Sequence, residues 1–173
     1  GSTICIAPDK SIVVQPGSKI IANGTAARPV KFIRSDPAQM WKQIELRGDG
    51  NVFNYALFDG GDWNVYVRSI DNIFNHCTIR NADDWGMITS SRYNASGRSH
   101  VTLDNCLVEN CEIGLKFLNC NAKVSDCTIQ NNSYSGINAY YSQLGPGPNK
   151  FEKNLIQNNG TYGLQISTSG IIY

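Results

Sequence analysis

The stretch from Ile73 to Ile166 states one phrase four times. It reads Phe74-Asn75-His76-Cys77-Thr78-Ile79-Arg80-Asn81, and then Asp104-Asn105-Cys106-Leu107-Val108-Glu109-Asn110. Ser125-Asp126-Cys127-Thr128-Ile129-Gln130-Asn131 and Glu152-Lys153-Asn154-Leu155-Ile156-Gln157-Asn158 follow. After each copy comes a glycine and an apolar residue: Gly86-Met87, Gly114-Leu115, Gly136-Ile137 and Gly163-Leu164. The asparagines Asn81, Asn110, Asn131 and Asn158 advance by 29, 21 and 27 residues, and the glycines by 28, 22 and 27. Two columns that drift together mark a structural unit, and a period in the twenties predicts units stacked along one axis. Asn51 to Gly60 is a degenerate copy, with Gly60 in the asparagine slot. Nothing before Asn51 matches closely, as expected of an atypical terminal unit.

Apolar residues alternate within each unit. Leu115 and Phe117 point one way and Lys116 the other, and Cys127 and Ile129 share a side. Period-two runs of three to five residues predict short strands rather than helices. Three such strands, bent at Asn and Gly, fit a unit of ~22 residues. One triplet cannot bury its apolar side alone, but stacking at ~4.8 Å pairs the backbones and encloses a core. Upstream, Ser11 to Ile21 reads as two strands around Pro16-Gly17, with further strands at Val30–Ile33 and Ile44–Leu46. Charged residues make up only 17% of the chain, whose abundant Asn, Ser, Gly and Thr suit tight turns. Fifteen Lys and Arg against fourteen Asp and Glu give no reason to expect nucleic acid. No apolar run approaches the ~20 residues of a membrane helix. The leading Gly1-Ser2 reads as a cloning scar, which leaves room for a leader to have been removed.

Cys77, Cys106 and Cys127 share one slot, where Asn154 and Ala56 also fall, and read as a buried column of reduced thiols. Cys5, Cys111 and Cys120 lie outside it, and a Cys111–Cys120 bridge within one coil is left open by the sequence.

The phrase Cys-Thr-Ile-Arg/Gln-Asn, followed by Gly and alternating apolar residues, resembles the repeats of the pectin-lyase-like superfamily. So does Gly24-Thr25…Pro29-Val30-Lys31-Phe32…Trp41-Lys42-Gln43-Ile44 near the start. The resemblance implies an all-β fold, a single-stranded right-handed parallel β-helix of about six to seven coils. It implies one domain over 1–173, with atypical coils in 1–50 and regular repeats in 51–173. It also implies a polysaccharide or oligosaccharide partner and an extracellular, cell-surface or periplasmic location. It is specific for fold and weak for activity, because the repeated residues are core and bend residues.

Chemistry is expected where loops leave the cylinder. Gly86 to Val101 and Gly136 to Phe151 each take 15 residues, whereas Gly114 to Val124 takes 10. Two long loops on one side, with a short one between, predict a cleft. Its walls would be Arg92, Tyr93, Asn94 and Arg98 on one side and Tyr140, Tyr141 and Gln143 on the other, with Lys116, Asn119 and Asn121 as floor. Aromatic rings beside Arg and Asn suit a sugar, while tolerated loops with core-covering tyrosines give the same pattern. Asp62, Asp83 and Glu112 recur two residues after the bend, beside Asp59 and Asp84. They read as a solvated turn, with calcium as the one candidate cofactor, since uronate lyases of the superfamily use it. Lys116, Arg92 and Arg98 are the candidate bases for elimination. A pectin-type hydrolase would want Gly-His-Gly, and His76 and His100 lack flanking glycines.

Three functions follow: a polysaccharide-binding module, a uronate lyase, or a structural spacer of a phage fibre or adhesin. The end of the chain, Gly163 to Tyr173, shows no capping segment, which predicts a further domain or end-to-end self-association.

Overall fold

The computed structural model describes residues 1–93, 97–141 and 150–168. Coil 1 holds β1 (Thr3–Ile6), β2 (Ser11–Val14) and β3 (Ile21–Asn23); coil 2 holds β4 (Val30–Arg34), β5 (Gln43–Leu46) and β6 (Val52–Asn54). Coil 3 holds β7 (Ala56–Asp59), β8 (Trp63–Val67) and β9 (Asn72–Asn75); coil 4 holds β10 (Thr78–Arg80), β11 (Trp85–Thr89) and β12 (Ser99–Asp104). Coil 5 holds β13 (Leu107–Glu109), β14 (Ile113–Leu118) and β15 (Cys120–Ser125). Coil 6 holds β16 (Thr128–Gln130), β17 (Ser135–Tyr141) and β18 (Lys150–Glu152), and coil 7 begins with β19 (Leu155–Gln157) and β20 (Tyr162–Thr168).

First strands pair only with first strands, second with second and third with third, all in parallel. The result is sheet I (seven strands), sheet II (seven) and sheet III (six), wrapped around one axis. No helix of the described residues is long and apolar enough to cross a membrane. The first 50 residues follow the same three-sided path although they lack the phrase, because pleat and pairing, not residue identity, define a coil.

The asparagine column turns sheet I into sheet II. Gly60, Asn81, Asn110, Asn131 and Asn158 all take a left-handed backbone, with φ of 86°, 54°, 55°, 55° and 53°. Asparagine reaches this region at low cost through its short polar side chain, so the slot accepts Gly or Asn. The corner from sheet III back to sheet I uses Tyr55, His76, Asn105, Asp126 and Lys153, also at positive φ.

The glycine column has a different cause. A Cβ on Gly86 would lie 2.6 Å from the carbonyl oxygen of Gly114, one on Gly114 2.7 Å from that of Gly136, and one on Gly136 2.6 Å from that of Gly163. Each glycine therefore makes room for the next coil's backbone.

Inward residues stack in register. Ile44, Val65, Met87, Leu115 and Ile137 form one fully buried row. Phe32 stacks on Phe58 at 5.2 Å and Phe53 on Phe74 at 4.8 Å. Full burial of each such side chain contributes roughly 1.5–3 kcal/mol. Ala56, Cys77, Cys106 and Cys127 are buried as expected, and all six cysteines are free. The thiols of Cys77 and Cys106 donate to the carbonyls of Phe53 and Phe74 at 3.3 and 3.4 Å. Asn154 ends the column by accepting from the Cys127 amide at 2.9 Å and donating to the Val124 carbonyl at 2.9 Å. Cys111 and Cys120 form no bridge: one sits at the I–II corner and the other opens β15. Burial pushes both thiols up to about 12.

Candidate functional site

Outward positions of sheet II carry a run of polar, charged and aromatic side chains. Tyr66, Ile88, Lys116, Asn138 and Gln165 form one row across its strands. Where the strands begin, Trp63 and Trp85 are partners in register, and their rings stack at 4.5 Å and 28°. The Lys116 ammonium caps the outer face of this pair, 4.1 Å from the Trp85 ring, and Lys42 lies 5.7 Å from the Trp63 ring. The four side chains make a ladder over coils 2 to 5, in which each ring contact and each cation contact is worth about 0.5–1.5 kcal/mol.

Carboxylates flank the ladder. Lys42 pairs with Asp62 at 2.6 Å, and the Trp63 indole donates to Asp84 at 3.1 Å. Glu112 faces Asp84. Burial, then the hydrogen bond to Asp84 and its charge, holds the Glu112 carboxyl above the usual carboxylate range. Burial also pushes the Lys116 ammonium below the ordinary lysine range, against the pull of Glu112 and Asp84. Lys116 thus lies in one electrostatic unit with two carboxyl groups and an aromatic face.

The acidic set does not fit a calcium centre. Calcium takes six to eight oxygens, and no group of three or more metal-ligating side chains that could hold an ion occurs among the described residues. Asp62 is already neutralised by Lys42.

The other expected site residues fall on three surfaces. In coil 4 the insertion runs from Ser90 to Arg98 at the corner between sheets II and III. In coil 5 that corner is Asn119 alone, at φ 48°. In coil 6 positions 142–149 connect the same two sheets. The spacing therefore located both insertions correctly. The coil 4 insertion turns toward coils 2 and 3. Arg92 pairs with Asp49 at 3.1 Å, and the Tyr93 ring lies 4.2 Å from the Arg47 guanidinium and 5.0 Å from that of Arg68. Arg98 bridges Ser91 and closes the insertion's base. Asn119 donates to the Ser91 hydroxyl at 2.9 Å. Asn121 lies on sheet III, 3.0 Å from the His100 imidazole, with its carbonyl oxygen buried and unpartnered. Lys116 and Asn121 thus face outward from different sheets rather than sharing one floor. Tyr140 is exposed on β17. The Tyr141 side chain, Asn94 and Gln143 lie outside the described residues.

The model of the right handed beta helix region matches residues 12–173. The chain belongs to this family. Among solved structures this β-helix is similar to pectate lyase Pel9A, with a TM-score of 0.52 and 14% identity. The match covers 82% of this chain and 50% of that one, so the β-helix spans half the length of the lyase. At that identity the likeness speaks for the fold alone. No curated protein matches the sequence.

Sequence reasoning passed over Lys42, Trp63 and Trp85 as site residues. A signal was present: Asp62-Trp63 and Asp84-Trp85 are one dipeptide repeated after 22 residues, within the spacing of the glycine column.

Proposed function

We propose that this β-helix binds an acidic polysaccharide along the outer face of sheet II, as an extracellular or surface-exposed module. The observation that carries the reading is the ladder of Lys42, Trp63, Trp85 and Lys116. Its ring faces are occupied by one another and by the lysines, so a sugar would meet ring edges and ammonium groups. An array that repeats along the helix axis suits a repeating polymer with acidic substituents. Titrating polygalacturonate into the wild type and into Lys116→Met and Trp85→Ala variants tests the reading. Binding that falls in both variants supports it, and equal binding in all three removes it.

A second reading is a uronate lyase, favoured by the lowered affinity of Lys116 for its proton beside Glu112 and Asp84. Neutral Lys116 would take the proton from the carbon next to the uronate carboxylate. The neighbouring C–O bond of the linkage would break, leaving a carbon–carbon double bond, and the departing oxygen would be protonated. Absorbance of the unsaturated product, lost in Lys116→Met, is the expected signature of this reaction.

A further inference from the structure

At the far ends of β5 and β8, on the same outer face, lies a second charged group that the ladder does not use. Glu45 is buried, with a side chain only 5% exposed. It pairs with Arg47 at 2.6 Å and with Arg68 at 3.6 Å, one carboxylate oxygen to each arginine. Among the described residues Glu45 is the sole carboxylate within ion-pair distance of either arginine. One negative charge therefore faces two positive ones. Two guanidiniums carry ten N–H donors, and both Nε–H groups are buried without a partner. Buried donors are normally satisfied, so the pair is short of acceptors.

The geometry is also fixed in advance. The Tyr93 ring covers both guanidiniums, 4.2 Å from Arg47 and 5.0 Å from Arg68, while Glu45 holds them from beneath. The Tyr66 ring also lies 5.6 Å from the Arg68 guanidinium, and its hydroxyl is hydrogen-bonded to that of Ser90 at 3.0 Å. Clamping of this kind removes much of the rotamer cost of binding. The nearby Arg92 is neutralised by Asp49, so the surplus charge belongs to Arg47 and Arg68. Their side chains remain 23% and 29% exposed, which leaves part of each fork open to solvent.

We propose that Arg47 and Arg68, clamped between Glu45 and Tyr93, form an anion subsite that receives an acidic substituent of a polysaccharide. The planar fork of arginine matches the two oxygens of a carboxylate or the oxygens of a sulfate ester. The inference rests on the polysaccharide reading and deepens it. Lys116 sits two coils and two residues away on the same sheet, about 12 Å at strand and coil spacings. One chain can therefore present separate acidic groups to the two positions, and it would cross sheet II diagonally.

The test compares the wild type with Arg68→Gln, Arg68→Lys and Lys116→Met in binding to polygalacturonate, dextran sulfate and neutral dextran at low salt. Arg68→Gln is expected to weaken polyanion binding about tenfold, the size of one charge-assisted contact. Arg68→Lys, which keeps a charge for Glu45 but not the fork, should recover only part of the loss. Neutral dextran binding should not change. Loss confined to polygalacturonate assigns the anion as a carboxylate, and loss confined to dextran sulfate assigns it as a sulfate. Wild-type binding in both Arg68 variants, with binding lost in Lys116→Met, overturns the subsite and leaves the polysaccharide reading standing. A wild type that binds neither polyanion overturns both. If Arg68→Gln does not fold, Arg68→Lys decides alone, and undiminished polyanion binding by that variant rejects the subsite.

Discussion

Two arginine–acid–arginine groups sit on this β-helix, and they are built to opposite ends. On sheet I, Asp59 lies between Arg34 and Arg80 from the coils on either side. It accepts from the Arg80 Nε at 2.9 Å and from the Asn81 side-chain Nδ2 at 2.9 Å, with Arg34 at 4.0 Å. Arg34 in turn donates to the Pro37 carbonyl at 3.1 Å. On sheet II, Glu45 serves Arg47 and Arg68 alone, and both Nε–H groups go without a partner. Parallel stacking brings charged residues of successive coils together at either place. Both groups set one carboxylate against two arginines, but among the described residues only the second leaves buried guanidinium N–H groups without a partner. An ion cluster on a stacked fold is thus informative about ligands only once its donors and acceptors have been counted.

The largest expected effect tests this contrast directly. Glu45→Gln leaves two partly buried guanidiniums without a counter-charge and should cost about 3 kcal/mol of unfolding free energy, at the low end for a broken buried pair because both arginines reach solvent. Asp59→Asn keeps its Asn81 and Arg80 contacts in weakened form and should cost about 1 kcal/mol. Chemical denaturation of both variants gives the comparison. Equal costs would show that the two groups do not differ in the way the geometry indicates.

The interior thiol column is a closed ladder with no surplus at all, and it sets the next effect. Cys106→Ser places a hydroxyl where a weakly polar thiol packs, and should cost about 2 kcal/mol without touching polysaccharide binding. Thiol labelling should leave Cys77, Cys106 and Cys127 protected in the native state while Cys5, which is exposed, reacts. Rapid native labelling of Cys106 would contradict the closed column.

The closed parts of the molecule were legible in the sequence, and the open parts mostly were not. Asparagine turns, stacking glycines and the cysteine column recur because every coil needs the same bend, clearance and filling, so they leave a periodic signal. The insertions at 90–98 and 142–149 were legible for the same reason, as departures from that period. Direction was not. Nothing in the order of residues says that Tyr93 packs back on Arg47 and Arg68 rather than forward over Lys116. Glu45 and Arg47 are two residues apart and Arg68 lies a coil away, a pairing that appears only once the register is known. The Trp63–Trp85 stack was within reach, since its spacing matches the repeat, but an aromatic pair on a β-rich chain reads first as core.

Lys116 sharpens the contrast through pH. Burial lowers its proton affinity, so the ammonium is lost at a lower pH than for an exposed lysine. As a cationic contact, Lys116 contributes while protonated, and polyanion binding should weaken as pH rises through this lowered pKa. As a base it acts only when neutral, and product formation should rise over the same window. Lys116→Met should weaken binding about tenfold and flatten either dependence. A wild-type pH profile identical to that of the variant would remove Lys116 from both roles.

Tyr140 carries the smallest expected effect and probes how far the open face extends. The residue is 38% exposed, and its strand position pairs with Leu118 on one side and Ser167 on the other. It points outward like Arg68, but three coils further along sheet II. Little packing is lost on truncation, so Tyr140→Ala should change unfolding free energy by less than about 0.5 kcal/mol. Tyr140 shares the strand position of Arg68 and lies one coil and two residues from Lys116, so a long chain that continues past Lys116 along the helix axis at Arg68's strand position would meet it in coil 6. Truncation should then weaken long polygalacturonate chains and leave short oligomers unaffected. Calorimetric titration across chain lengths reads the difference. A large drop in thermal stability would instead mark Tyr140 as a packing residue and end the track at coil 5. Unchanged binding at every length, with stability intact, would do the same by a different route, confining recognition to the two cationic positions.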